Sequence, residues 1–221
     1  MKQILYFTGL LLIPFFMSCS QKFQLHQGDF LFQDMDCGPM CDAIEEVTQG
    51  INGAQFSHVG LVIIENDSFK VVEAISKGVV FTPLDDFLNR SHDADGNPKV
   101  LVGRFKSNYQ HLISKALKNL ESVKATPYNN SYIMGNDSVY CSQLLYLIFK
   151  KANNGNEVFH LAPMTFKSLN SDQFFPVWEK YYSELGIPIP EGQPGINPGG
   201  MSRSNYLDFV FQYGNPDGWK K

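Results

Sequence analysis

Val139-Tyr140-Cys141-Ser142-Gln143-Leu144-Leu145-Tyr146, continuing through Leu147-Ile148-Phe149 to Ala152, reads as a helix whose apolar side carries a cysteine in its first turn. Asp137 or Ser138 is positioned to cap it, and Asn153-Asn154-Gly155 closes it. Cys141, Leu144, Leu145, Ile148 and Ala152 share one side, so the thiol belongs to the inward face. Upstream, His58-Val59-Gly60-Leu61-Val62-Ile63-Ile64 is β-branched and too apolar to face solvent. Glu65-Asn66-Asp67-Ser68 is a turn cluster, and Phe69-Lys70-Val71-Val72-Glu73-Ala74 returns. With further strands expected at 78–81 and 100–105, short connections imply an antiparallel sheet. The class is therefore α+β, a sheet packed against the cysteine helix.

Other elements follow from the same patterns. Residues 28–32 open the ordered region, a short helix around Ile44 and Val47 begins near Asp36 or Gly38 with Pro39 at its start and stops at Gly50 or Gly53, and 84–88 forms another short helix. Residues 109–123 form a helix with Leu112, Ala116 and Leu120 on one face, and 126–135 an aromatic, Asn-rich loop. Residues 188–200, with four prolines and four glycines, are irregular, and 206–211 is a strand lying along the domain.

The first residues have a different logic. One positive charge at Lys2 precedes an apolar run of about 14 residues, too short for the roughly 20 of a membrane-spanning helix and interrupted by Pro14. This resembles a bacterial lipoprotein signal, with Phe16-Met17-Ser18-Cys19 in the place of the lipid-attachment motif. The expected organisation is a leader at 1–18, a lipidated Cys19 with a tether at 19–27, and one domain at 28–221 with an irregular C-terminal extension. The protein is then exported, to the outer membrane or periplasm as a lipoprotein or secreted outright, and held to a bilayer by its N-terminal lipid. Its net charge of −4, without a basic stripe, disfavours nucleic acid.

Cysteine arithmetic bears on chemistry. Of four cysteines, 19, 37, 41 and 141, lipidation leaves three, so one thiol stays unpaired within the chain. Cys37 and Cys41 are close enough to close on each other, although an undistorted helical i,i+4 pair suits a disulfide poorly. Cys141 is then the free thiol. A helix N-terminus favours a thiolate by only about 0.3–1 kcal/mol, so a base is required. If the hairpin turns at Asn66-Asp67, Gly60 faces Glu73, and His58 lies one diagonal step from Glu73 on the same face. A slip of one residue would separate them. Taken singly, each feature has a plain alternative, since a cysteine on an apolar helix face is more often inert core.

Tyr140-Cys141-Ser142-Gln143-Leu144-Leu145-Tyr146 resembles the Tyr-Cys-Ser-Glu-Leu-Val-Tyr signature of the circularly permuted NlpC/P60 papain-like hydrolases of the YiiX/YebB-like group. Gly28-Asp29-Phe30-Leu31-Phe32, Ser57-His58-Val59-Gly60, Val72-Glu73-Ala74 and Pro127-Tyr128-Asn129 resemble that group's opening strand, histidine strand, carboxylate strand and the segment before the cysteine helix. The order His58, Glu73, Cys141 is the permuted one; Cys37 or Cys41 acting ahead of His58 is the competing assignment. The resemblance implies a cysteine hydrolase with Cys141 as nucleophile, His58 as base and Glu73 orienting it. Tyr140 and Tyr128 would line the pocket, and Gln143 in place of Glu is a change beside the site. It implies no cofactor and no metal, a mixed zinc site at Cys141, His58 and Glu73 being the minor alternative. Substrates would be envelope peptides or small acyl amides; lipid acyl hydrolysis or transfer, or a non-catalytic ligand-binding lipoprotein, are the other readings.

Overall fold

The computed structural model describes residues 23–135 and 137–221. The expected leader, Cys19 and the tether as far as residue 22 lie outside the described residues. The core is a six-stranded sheet in the order β4-β3-β2-β1-β5-β8, antiparallel throughout. Its strands are β1 (Phe30–Gln33), β2 (His58–Glu65), β3 (Ser68–Ile75), β4 (Gly78–Pro83), β5 (Val100–Phe105) and β8 (Leu207–Gln212). The helices are α1 (Pro39–Val47), α2 (Leu84–Leu88), α3 (His111–Lys118), α4 (Cys141–Ala152), α5 (Pro176–Leu185) and α6 (Pro198–Ser202). A two-residue ladder, β6 (Ala162–Pro163) with β7 (Pro194–Gly195), completes the set.

Both faces of the sheet are covered, which is why β1 and β2 lack polar alternation. Phe30, Phe32, Val59, Leu61, Val72 and Ala74 pack in one cluster with Leu144, Leu145, Ile148 and Phe149 of α4. Leu31, Val62, Val71 and Val102 alternate to the opposite face, under Phe87 and Leu88 of α2. A third cluster joins Ala43 of α1 to Phe166, Trp178 and Tyr182.

The β2-β3 hairpin turns at Asn66 and Asp67, both at positive φ (51° and 58°), the geometry of a type I′ turn whose twist suits paired strands. That two-residue turn sets Leu61 opposite Val72, so the next pair down the ladder is Gly60 with Glu73, the expected register.

Several local expectations need correction. The 109–123 helix is broken: α3 ends at Lys118, and 3-10 turns at Ser107–Tyr109 and Leu120–Ser122 flank it. Helix α1 ends at Val47 with Thr48 as its cap, before either glycine, because the Thr48 hydroxyl turns back to the Ile44 carbonyl. Neither Asp137 nor Ser138 caps α4; Tyr140 is its N-cap residue and Gln143 Oε1 accepts the Tyr140 N–H at 3.2 Å. The 188–200 segment contains β7 and α6, the latter capped by Asn197 accepting from Gly200 N at 2.6 Å. Gly199 packs so tightly that a Cβ there would lie 1.6 Å from the Thr48 carbonyl oxygen. This contact ties α6 to the end of α1.

Candidate active site

His58 is the first residue of β2 and only 6% exposed. Its Nε2 lies 2.6 Å from Glu73 Oε2, across the diagonal that the hairpin register creates. Glu73 is fully buried. A buried carboxylate is costly unless its oxygens are saturated, and here they are. Arg90 Nη1 donates to Oε2 at 2.7 Å, Arg90 Nη2 donates to Oε1 at 2.5 Å, and the Thr82 hydroxyl donates to Oε1. The Arg90 guanidinium also rests 5.1 Å above the Phe87 ring, which itself lies 5.8 Å from the His58 ring. Neither Arg90 nor Thr82 announces itself in the sequence, because each reaches Glu73 from an element whose own pattern is indifferent to it.

These contacts set the charges. Burial pushes the Glu73 carboxyl up, but the hydrogen bonds from Arg90, His58 and Thr82 outweigh it and hold the pKa at about 2. Burial likewise pushes His58 down, and hydrogen bonding with Cys141 and Glu73 reverses this, raising the ring to about 9. At neutral pH the site thus favours an imidazolium paired with the Glu73 carboxylate.

Linkage gives a measurable consequence. The His58 contribution to stability is complete below its ordinary value of 6.5 and is lost as pH rises through about 9. The Glu73 contribution is complete above 4.5 and is lost as pH falls toward about 2. We expect the urea midpoint to decline from near-neutral pH through about 9, and the decline to flatten in His58→Gln. An unchanged alkaline slope in that variant would remove His58 from the titrating group.

Cys141 opens α4, where the first-turn N–H groups have no partner inside the helix. It is 7% exposed and the one free cysteine among the described residues. Cys37 and Cys41 are joined by a disulfide, their Cα atoms 5.4 Å apart. The helical objection to that pair falls away because α1 begins at Pro39, leaving Cys37 outside it. Neither sulfur is then available as a nucleophile. The substitution at Gln143 has a defined place: its Oε1 accepts from Tyr140 N and, at 3.0 Å, from Asn129 Nδ2, fixing the approach to the helix.

Beside Cys141 lies a narrow cleft of roughly 110 Å³. Tyr128 and Tyr140 line it. Tyr140 also has a structural duty, its hydroxyl accepting from Ile196 N at 3.2 Å. The residues that sequence reasoning missed come from the C-terminal half: Met164, Phe166, Trp178 and Ile196. Aromatic density at 178–182 was the available signal, but nothing local directs it toward Cys141. Helix α1 supplies Ile44 and Val47 to the same cleft, so the disulfide-bearing segment does border it.

Away from the cleft, Asp34, Asp36 and Asp217 bring oxygens within 4.8 Å of one another, and this is the one such metal-capable group among the described residues. Lys99 Nζ stands among them, at 3.3, 2.7 and 3.2 Å from the three carboxylates.

Over residues 24–211 the chain matches the family described as "Permuted papain-like amidase enzyme, YaeF/YiiX, C92 family". Among solved structures it resembles that of the metalloprotein yiiX from Escherichia coli O157:H7. The TM-score is 0.69 at 22% sequence identity, covering 87% of this chain and 99% of that one. At that identity the likeness is one of fold. No curated protein matches the chain.

Proposed function

Because the chain belongs to the permuted papain-like amidase family C92, and so to enzymes of amidase or hydrolase type, we propose that it is a cysteine amidase of the cell envelope working through Cys141, His58 and Glu73. The observation that carries this reading is the His58 ring held between Glu73 at 2.6 Å and the thiol of Cys141 at the start of α4. Glu73 engages Nε2, which leaves Nδ1 to exchange a proton with the sulfur.

In the reaction, the Cys141 sulfur bonds to the amide carbonyl carbon, and the oxygen charge that develops is met by first-turn N–H groups of α4. The C–N bond then breaks and the His58 proton passes to the leaving amine. Water, deprotonated by the neutral ring, cleaves the thioester, releasing the carboxylic acid and restoring the thiolate–imidazolium pair. Arg90 and Thr82 act on this chemistry by holding Glu73, and are positioning residues.

The neighbouring fold belongs to a protein described as a metalloprotein. The Asp34, Asp36 and Asp217 group does not suit a cation here, because the Lys99 ammonium already stands among the three carboxylates, within 3.3 Å of each, where the ion would have to sit. Glu73 is likewise committed to Arg90 and Thr82 rather than to a mixed zinc site. We derive no step through a metal.

The reading extends to organisation and place: residues 1–18 are removed on export, Cys19 carries lipid, and residues 28–221 act as one unit at the envelope surface. Intact-mass measurement during turnover of an acyl amide tests the chemistry. A single acyl increment on Cys141 is expected. Turnover without any adduct on Cys141, even after rapid acid quench, would overturn the mechanism; binding without turnover would favour a ligand-binding lipoprotein instead.

A further inference from the structure

The lining of the cleft is uniform in one respect. None of its side chains is Asp, Glu, Lys, Arg or His. Most of its polar groups are also already engaged, the indole N–H of Trp178 being the exception. Thr48 donates to the Ile44 carbonyl at 2.5 Å, Ser57 accepts from Met35 N at 2.9 Å, and Ser142 donates to the Ile196 carbonyl at 2.9 Å. Thr165 donates to Glu191 at 2.9 Å, and Asn197 caps α6. What the cleft offers a ligand is therefore chiefly the apolar surface of Ile44, Val47, Met164, Phe166, Trp178 and Ile196. A peptide with several carboxylates would lose their hydration there and find no counter-ion.

The catalytic geometry assigns an orientation. The leaving amine must reach His58, since that ring returns the proton. His58 does not line the cleft, whereas Cys141 does. The portion of a substrate lying in the cleft is thus the portion that stays on sulfur. The walls are backed by packed core, with Phe166 and Trp178 stacked edge-to-face at 5.1 Å and both at most 4% exposed, so the cavity is preformed.

We propose that this cleft is an acyl-chain pocket, and that the protein hydrolyses fatty N-acyl amides, with an apolar acyl chain beside Cys141 and the amine on the His58 side. The proposal rests on the amidase reading above and names its substrate class. The bond that breaks is the acyl C–N bond; water supplies the hydroxyl of the fatty acid and a proton of the released amine.

The test is a chain-length series: acetyl-, hexanoyl- and decanoylglycine, beside the tripeptide L-Ala-γ-D-Glu-L-Lys and a diacyl phosphatidylcholine. We expect kcat/KM to rise about fourfold per methylene until the cleft is filled, with the tripeptide and the phospholipid ester below hexanoylglycine. Val47→Phe, which narrows the cleft, should move the optimum to shorter chains. Calorimetry of Cys141→Ala with the same acylglycines separates the two readings. Tight decanoylglycine binding without wild-type turnover would overturn the amidase mechanism and leave the pocket assignment standing. Turnover indifferent to chain length, or fastest on the tripeptide or the phospholipid, would overturn the pocket assignment while the thiol chemistry stood. Neither binding nor turnover of any acylglycine would overturn both.

Discussion

Cys141→Ala is expected to lower kcat/KM on any amide the protein turns over by about three orders of magnitude or more, with little change in thermal midpoint. The loss is large because no other group can replace the sulfur. Cys37 and Cys41 are bonded to each other, and Cys141 is the remaining thiol among the described residues. The structural cost is small because the side chain is short and stands at the edge of a cleft, where the space left by one sulfur adds to an existing void. Cys141→Ser provides the control on volume. Its hydroxyl preserves shape but has a far higher pKa than a thiol, so its activity should be almost as low. A rate within tenfold of wild type in either variant would show that another group attacks the carbonyl.

The second large effect is on the fold itself. Glu73→Ala removes the acceptor of both Arg90 bonds, the Thr82 bond and the His58 bond together. Breaking a buried ion pair by deleting one partner costs about 3–5 kcal/mol, since the surviving charge has lost its counter-ion. Arg90 keeps 22% of its side chain exposed and can turn toward water, so the lower end, about 3 kcal/mol, is expected. Denaturant unfolding at neutral pH measures it. Arg90→Leu combined with Glu73→Ala should recover part of the loss, because the double variant strands no guanidinium. Activity carries an independent signature. Without Glu73 the imidazolium is less favoured, so the alkaline limb of the rate profile, set near the His58 value of about 9, should move to lower pH. A cost under 1 kcal/mol together with an unmoved limb would mean that Glu73 neither anchors Arg90 nor tunes His58.

Gln143 illustrates how far a motif can be read from residues alone. As a departure from a family signature it signals only that something differs. In the fold it joins Tyr140 to Asn129, and an amide oxygen accepts those two N–H groups as a carboxylate would. The apparent irregularity thus leaves the placement of Cys141 intact.

The same division runs through the whole chain. Period-two runs, the Asn66-Asp67 turn and the helical spacing after Cys141 are local signals, and they determined most strands, the β2-β3 register and the pairing of His58 with Glu73. A two-residue turn admits one register, so sequence neighbours become spatial neighbours without reference to anything distant. The ordering of 194–202 was decided instead by contacts from elsewhere, Gly199 against Thr48 and the Ser142 hydroxyl on the Ile196 carbonyl. Tertiary structure alone also brought Arg90 to Glu73, Lys99 among three aspartates, and the C-terminal aromatic residues to the side of Cys141. Those partners are selected by burial and charge balance across long chain separations, and local periodicity carries no record of which distant segment will satisfy a buried carboxylate or wall a cleft.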